Sequence, residues 1–386
     1  MAEGDIFGAE IGVPTPVSMM RQTLDGLANR PDASPRALQG RHYVDEAYFA
    51  FENQTVLQNG WHCVGRADEL PNIGDYRALR LLEEPIILVR TENGIIALSN
   101  LCRHRGMPLA EGSGNTKLFV CSYHAWSYRI NGTLQRAPRM ENAGFDPKTC
   151  ALPSFACTER FGFIYVSLSE TPPDLDQDLA GLHEGLQPYD PAAYRVVHSA
   201  EEIWNTNWKS LVENFMEGYH LSVVHPITLH GYTPTELSKK GPSGPGYTSY
   251  TAHYPDHIPP RGRGAEGLSE AQKHASYLFA VFPCQVVSIS PSLLVSLNLM
   301  PVSAGRVDVR WTMSVYGDDL DGETIKDRIA LWSEVNREDR EKLERMQSAL
   351  GSRHATGGPL AGPDYEGTVR DFLNWLARQD RLYLYA

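Results

Sequence analysis

Long apolar runs are missing from this 386-residue chain: nothing approaches the roughly eighteen consecutive apolar residues of a membrane-spanning helix. The first thirty residues show no basic stretch followed by an apolar one, so no secretory leader is expected. Cysteine is sparse, six in all, and Cys63, Cys150, Cys157 and Cys284 are scattered without the spacing of a disulfide framework. That excludes a disulfide-stapled fold and makes a reducing, cytoplasmic location the expectation. No cluster of Lys and Arg breaks a formal net charge of −12, which argues against nucleic acid or an anionic membrane as partner. No Gly-x-Gly-x-x-Gly follows a strand, so no dinucleotide-binding unit is expected here. Internal repeats and low-complexity tracts are absent too. What is present is ordinary globular composition, 42% hydrophobic and 21% charged, in a chain long enough for two cores.

The order of signals predicts an α+β protein in three parts. Residues 1–42 are polar and turn-rich, an arm with one short helix over Ser18–Ala28 and a turn around Pro31–Pro35. Residues 43–170 are β-rich. Ile86–Arg90 and Ile95–Leu98 flank Asn93-Gly94, a hairpin signal, Asn131-Gly132 marks a second hairpin, and Phe163–Val166 reads as a closing strand. Thr171-Pro172-Pro173-Asp174 is the predicted boundary. Residues 171–386 mix helices and strands. Helical character spans Asn207–Val224, and a Gly/Pro/Tyr-rich loop region runs from about Gly231 to Gly267. Strands are predicted at Cys284–Ser290, Leu293–Leu299 and Val307–Val315, and an amphipathic helix over Gly322–Leu350.

Two constellations carry chemistry. Cys102-Arg103-His104 is followed, after sixteen residues, by Cys121-Ser122-Tyr123-His124. Each half supplies one thiolate and one imidazole, the donor set of a Rieske [2Fe–2S] cluster, in which two histidines replace two cysteines on one iron. A structural zinc site also uses Cys2His2, but zinc fingers pair like ligands in each half.

The second set is His220 and His225, five residues apart. Five residues advance a helix by about 500°, so a straight helix would not put both on one face. Pro226 biases His225 away from helical dihedrals, so the helix should break between the two and let both turn to one point. With one carboxylate they would form the facial triad of non-haem iron oxygenases. Ile325, Ile329, Trp332, Val335, Asp339, Leu343, Met346 and Leu350 form an inward stripe at steps of three and four, and Asp339 is its only acid. Glu338, turned about 100° away, is expected in solvent. Glu217, three residues before His220, would share its helical face and hydrogen-bond its distal nitrogen. Glu213 and Asn214 are expected near the same cavity.

Taken together these residues resemble the terminal oxygenase α subunits of Rieske non-haem iron oxygenases. The resemblance runs from about Tyr43 to Gly351 and includes Gly74-Asp75-Tyr76, Arg103-His104-Arg105-Gly106, Cys121-Ser122-Tyr123-His124-Ala125-Trp126, Glu338-Asp339 and Gln347. Respiratory Rieske proteins add a disulfide cysteine in each ligand loop. Here Met107 and Tyr123 hold those places, which resembles the lower-potential class of ferredoxins and oxygenases. The resemblance implies an N-terminal antiparallel β Rieske domain and a helix-grip catalytic domain with an antiparallel sheet. It also implies a cluster on Cys102, His104, Cys121 and His124, and iron on His220, His225 and Asp339. Glu217, with Asn214 beside it, would join His220 to His124 of a neighbouring subunit in a homotrimer. Electrons from NAD(P)H would come through a separate flavin/iron–sulfur reductase. The bridge is usually aspartate in the family; glutamate resembles the branch acting on carnitine and glycine betaine.

Oxidation of a small N-methylated or quaternary ammonium compound is therefore the expected activity, by demethylation or C–N cleavage. Tyr232, Tyr247, Tyr250, Tyr254, Tyr277, Phe279 and Phe282 are candidates for an aromatic cage that attracts such a cation. The alternative activity is hydroxylation or dihydroxylation of an aromatic acid. A non-enzymatic Rieske electron carrier is the rival class, but it leaves over two hundred residues without a role.

Overall fold

The computed structural model describes residues 15–28, 35–140, 144, 146–260 and 262–384; most of the turn expected around Pro31–Pro35 lies outside them. Its first unit is a seven-stranded antiparallel sheet. In sheet order the strands are His62–Arg66, Phe163–Ser167, Ser154–Arg160, Gly94–Ser99, Glu84–Thr91, Asp75–Leu81 and Ser113–Asn115. The Asn93-Gly94 hairpin forms with Thr91 paired to Gly94, which takes a φ of 114°. Two-residue alternation along Glu84–Thr91 then builds two cores. Ile86 and Leu88 pack with Ala97, Ile164 and Val166 on one face. Ile87 and Val89 turn to the other face and pack with Cys102, Phe119, Cys121, Trp126 and Tyr128. A three-stranded sheet (Leu118–Val120, Ser127–Arg129, Leu134–Arg136) completes that layer and holds the second cysteine–histidine pair in its first turn.

The second unit is another seven-stranded antiparallel sheet. Its order is Tyr194–Trp204, Arg306–Tyr316, Leu293–Ser303, Gln285–Ile289, Ala275–Val281, Tyr247–His253 and Ser238–Ser243. Every residue of Ala275–Val281 and Gln285–Ile289 is buried, so this sheet is covered on both faces. The long helix Gly322–Ala349 lies on one face, its Trp332, Val335 and Leu343 in the same cluster as Leu297, Val309 and Trp311. A helix packed across an antiparallel sheet is the expected helix-grip layout. The site helix Trp208–Phe215 and the C-terminal helix Pro363–Leu384 cover the same face, through Trp208 and Phe372.

Three expectations need correction. The loop region predicted over 231–267 contains two strands, Ser238–Ser243 and Tyr247–His253. Gly241, Pro242, Gly244 and Gly246 mask them in the sequence, yet Tyr-Thr-Ser-Tyr-Thr pairs residue by residue with Ala275–Val281. Helical character over Asn207–Val224 is interrupted: one helix ends at Phe215 and the next is only Leu221–Val224. Residues 43–57, assigned from the sequence to the first unit, form short helices whose Tyr43, Phe49, Val56 and Leu57 pack in the catalytic core. A buried ion pair, Lys209 Nζ to Glu52 Oε2 at 2.7 Å, ties them to the site helix. The helix expected near the N-terminus is present as Pro16–Ala28 and is clamped to the C-terminal helix by Arg21–Asp380 and Asp25–Arg381. Among the described residues no helix is long and apolar enough to cross a membrane.

Candidate metal centres

The two cysteine–histidine loops are built alike. In the first, the Cys102 N–H donates to the Met107 carbonyl and the Gly106 N–H to the Cys102 carbonyl. In the second, Cys121 donates to Trp126 and Ala125 donates to Cys121. Each turn closes through a left-handed residue, Gly106 at φ 73° and Ala125 at φ 59°. Both sulfurs are buried while His104 and His124 are exposed, their rings 4.7 Å apart. His104 stacks on Trp126 at 5.1 Å, and His124 lies against Tyr123 at 3.8 Å. The Tyr128 hydroxyl stands 3.4 Å from the Cys102 sulfur and accepts the Arg103 N–H.

Zinc and a two-iron cluster make different demands on their donors. Tetrahedral zinc draws four ligands within about 2.3 Å of one point, which brings the donors themselves within about 4 Å of one another. Among the described residues only His220, His225 and Asp339 bring three such donors within 4.8 Å. In the two loops each half supplies one buried cysteine and one exposed histidine. Inner sulfurs and outer imidazoles fit a two-iron cluster.

The second centre sits where the interrupted helix meets the long one. His225 caps the short helix with φ −116°, ψ 51°, the break that Pro226 predicts. The rings of His220 and His225 lie 5.2 Å apart. Asp339 Oδ1 is 3.1 Å from His225 Nε2 and 3.6 Å from His220 Nε2. His225 Nε2 and Asp339 Oδ1 are both buried without a hydrogen-bond partner. Buried polar atoms are normally satisfied, so two unpartnered atoms this close together fit a cation held between them. Burial would raise the Asp339 carboxyl, but the adjacent His225 and His220 imidazoles and the Asn214 amide hold it below the usual range. Burial likewise lowers His220, and Glu217 and Asp339 outweigh it, so its net shift is upward.

The outer nitrogens of both histidines are held by carboxylates. Glu217 Oε1 is 2.5 Å from His220 Nδ1, as predicted, though not across a helical turn. Residues 216–220 are irregular, and Glu217 bends back so that Oε2 accepts the N–H groups of Tyr219 and His220. Glu338 corrects the sequence reading. It is not a solvated neighbour of Asp339: its Oε2 is 2.7 Å from His225 Nδ1 and accepts the Thr228 hydroxyl at 2.7 Å. The turn after His225 brings Thr228 across the long helix, a return that helical periodicity does not reveal. Both Nδ1 atoms being engaged, both Nε2 atoms are left to face Asp339, the tautomer control expected of ligating histidines.

Asn214 reaches Asp339, whereas Glu213 points elsewhere: the Tyr43 hydroxyl donates to both its oxygens, at 2.8 and 2.9 Å, and burial pushes its carboxyl up to about 7. A groove of about 890 Å³ opens onto this side, lined by Glu213, Asn214, Glu217, His220 and Met346. The proposed aromatic cage is divided by the sheet. Tyr247, Tyr277 and Phe279 face a second core with Tyr189, while Tyr250 and Phe282 face the iron side. Tyr250 lies close enough to Glu217 and Asp339 to feel both charges, and its hydroxyl donates to the Phe215 carbonyl at 3.4 Å.

Comparison with known proteins agrees with both centres. Residues 60–156 match the Rieske [2Fe-2S] domain, and residues 190–380 match the catalytic domain of the ring hydroxylating alpha subunit. The chain is 33% identical over 244 residues to the glycine betaine monooxygenase oxygenase subunit of Chromohalobacter salexigens. That match covers 60% of this chain and about half, 55%, of the relative. It is 26% identical to the carnitine monooxygenase oxygenase subunit of Escherichia coli K12, covering 88% of this chain and 93% of that one. Putrescine 2-hydroxylase of Ralstonia nicotianae is 27% identical over 87% of this chain and 93% of its own length. The fold matches the quaternary ammonium Rieske monooxygenase CntA with inhibitor bound, at TM-score 0.82 and 22% identity over 92% of this chain and 98% of that one. It also matches naphthalene 1,2-dioxygenase from Rhodococcus at TM-score 0.80 and 20% identity, over 95% and 99%. With a Rieske domain leading into a ring-hydroxylating catalytic domain, and the donors for both iron centres in place, the chain belongs to the Rieske non-haem iron oxygenase α subunits.

Proposed function

We propose that the protein is the terminal oxygenase of a multicomponent system that oxidises a small cationic amine, in the first instance a quaternary ammonium or N-methylated compound. The observation that carries this is Glu217, a glutamate clasped to Nδ1 of an iron-site histidine at 2.5 Å, beside two further donors that converge on one point. When bound, the cluster supplies single electrons and the mononuclear iron supplies O2 activation for insertion into a C–H bond. The chain's own residues set the terms. Glu338 and Glu217 lock the imidazoles, Asn214 steadies Asp339, and the buried Tyr250 lies near Glu217 and Asp339.

Exposed apolar side chains support an assembly. Val120 and Tyr123, beside the cluster loops, are 53% and 57% exposed, while Tyr219, Val223 and Ile227, beside the iron site, are 57%, 82% and 91% exposed. Two apolar patches at the two redox centres support docking of one against the other in a closed ring of three copies. In that arrangement Glu217 would face His124 of the partner subunit and link the two centres. A separate reductase would feed the cluster. The six unpaired cysteines suit the reducing cytoplasm.

The relatives named for carnitine, glycine betaine and putrescine favour a cation over an aromatic acid. The test is O2 uptake and formaldehyde release with a surrogate reductase and NADH, over glycine betaine, carnitine, γ-butyrobetaine, putrescine and benzoate. Uptake with a methylammonium compound, with formaldehyde or a cleaved C–N bond, is expected. Uptake with putrescine alone selects the diamine reading, and uptake with benzoate alone overturns the cationic one. Glu217→Gln should keep both metals and abolish coupled turnover.

A further inference from the structure

The C-terminal helix, for which the sequence offered no role, reaches the loop that carries Glu217. The Thr368 hydroxyl donates to the Met216 carbonyl, and the Gly218 N–H donates to the Tyr365 carbonyl at 3.3 Å. The Tyr365 ring lies against Tyr219 at 5.9 Å. On its other side the loop is pressed on the start of the edge strand: a Cβ on Gly218 would stand 2.2 Å from Ser238 Oγ. The helix itself is held along its length. Asp364 pairs with Lys239, Asp371 with Lys240 and Asp380 with Arg21, and Phe372 is fully buried between Trp208 and Phe282. Glu366 departs from helical dihedrals at φ −123°, so the kinked first turn lies at the loop.

We propose that Thr368 and the first turn of the C-terminal helix are positioning elements for Glu217, fixing the bridge loop so that its carboxylate reaches across the subunit boundary. The inference rests on the bridge reading above. Its physical basis is the way the loop uses its hydrogen bonds. In the single chain, Glu217 Oε2 caps the Tyr219 and His220 N–H groups while Oε1 holds His220 Nδ1. A carboxylate that turns one oxygen toward an imidazole of the partner must loosen its grip on those amides. The contacts that do not depend on Glu217 then carry the loop. Two of them are the Thr368 hydroxyl and the Tyr365 carbonyl.

The test compares Thr368→Val, which keeps the shape and removes the donor, with Thr368→Ser, which restores it. Amide hydrogen exchange of 216–220 in metal-free protein should be roughly tenfold faster in T368V and return in T368S, the expected size for losing one hydrogen bond to a buried carbonyl. In metal-loaded full-length protein, with the mononuclear iron oxidised beforehand, the cluster is reduced by a flash-excited deazaflavin and its reoxidation followed. One electron leaves the cluster and ferric iron becomes ferrous. T368V should slow that recovery roughly tenfold with iron content unchanged, and T368S should recover it. Unchanged exchange, wild-type transfer in T368V, or a T368S as impaired as T368V overturns the proposal. E217Q separates the two levels: full transfer in E217Q overturns the bridge itself, whereas loss in E217Q with wild-type transfer in T368V overturns only the positioning role.

Discussion

Histidine is held in two contrasting ways in the two halves of the molecule. His104 and His124 stand exposed at a loop tip, packed against Trp126 and Tyr123, with no hydrogen bond to either ring among the described residues. His220 and His225 lie inside, each with a carboxylate on Nδ1. The difference follows from what each centre must do. A cluster that exchanges electrons with other proteins needs its imidazoles at the surface, and the stiff sheet beneath supplies the rigidity. An iron that must keep coordination positions open needs its imidazoles locked from behind, because the front is left for reactants. Glu217 belongs to the second arrangement, and under the proposed bridge it would also serve the first.

The comparison breaks most sharply if the two centres depend on one another for loading. Asp339→Ala should lower iron from about three to two per chain while the visible spectrum of the cluster is kept, and Cys102→Ser should do the reverse, leaving about one. Metal analysis with absorption spectra checks both. Loss of all iron in either variant would show one cooperative site instead of two. A smaller effect sharpens the account of the interior histidines. Glu338→Gln should weaken mononuclear iron binding about 10- to 100-fold, the usual range for removing a partner behind a ligand, with the cluster untouched. Thr228→Val removes only one donor to Glu338 and should cost a few-fold at most, measured in the same iron titration.

The two halves also differ in how far they were legible beforehand. Cys102, His104, Cys121 and His124 are local in sequence and identify their chemistry by spacing alone. The iron-site candidates needed three separate arguments: Asp339 lies where the stripe put it, the chain leaves the helix at His225 ahead of Pro226, and Glu217 meets Nδ1 of His220, but through an irregular loop and not the helical face the spacing suggested. Glu338 escaped because its partners, His225 and Thr228, come from a distant segment and not from its own helix. The aromatic candidates escaped for a related reason. Their side of the sheet depends on pairing register, and the glycines and prolines around Tyr247 hid the strand that sets it. Met346, placed on the inward stripe by periodicity, is half exposed because the stripe runs out beside the groove. The C-terminal helix carries no motif at all, yet Thr368 and Tyr365 hydrogen-bond the loop at Met216 and Gly218, since a threonine hydroxyl and a backbone carbonyl leave no pattern in a sequence.

The central claim is that the exposed histidines of one copy serve the buried iron of another. Co-expressing Cys102→Ser, which keeps only an iron site, with Asp339→Ala, which keeps only a cluster, tests it directly. Each variant alone should show no substrate-dependent O2 uptake. Mixed trimers should regain a substantial fraction of wild-type uptake, because a cluster in one copy can face an iron site in the next. Mixed trimers that are fully assembled and metal-loaded yet inactive would contradict the account and place the electron path within a single chain.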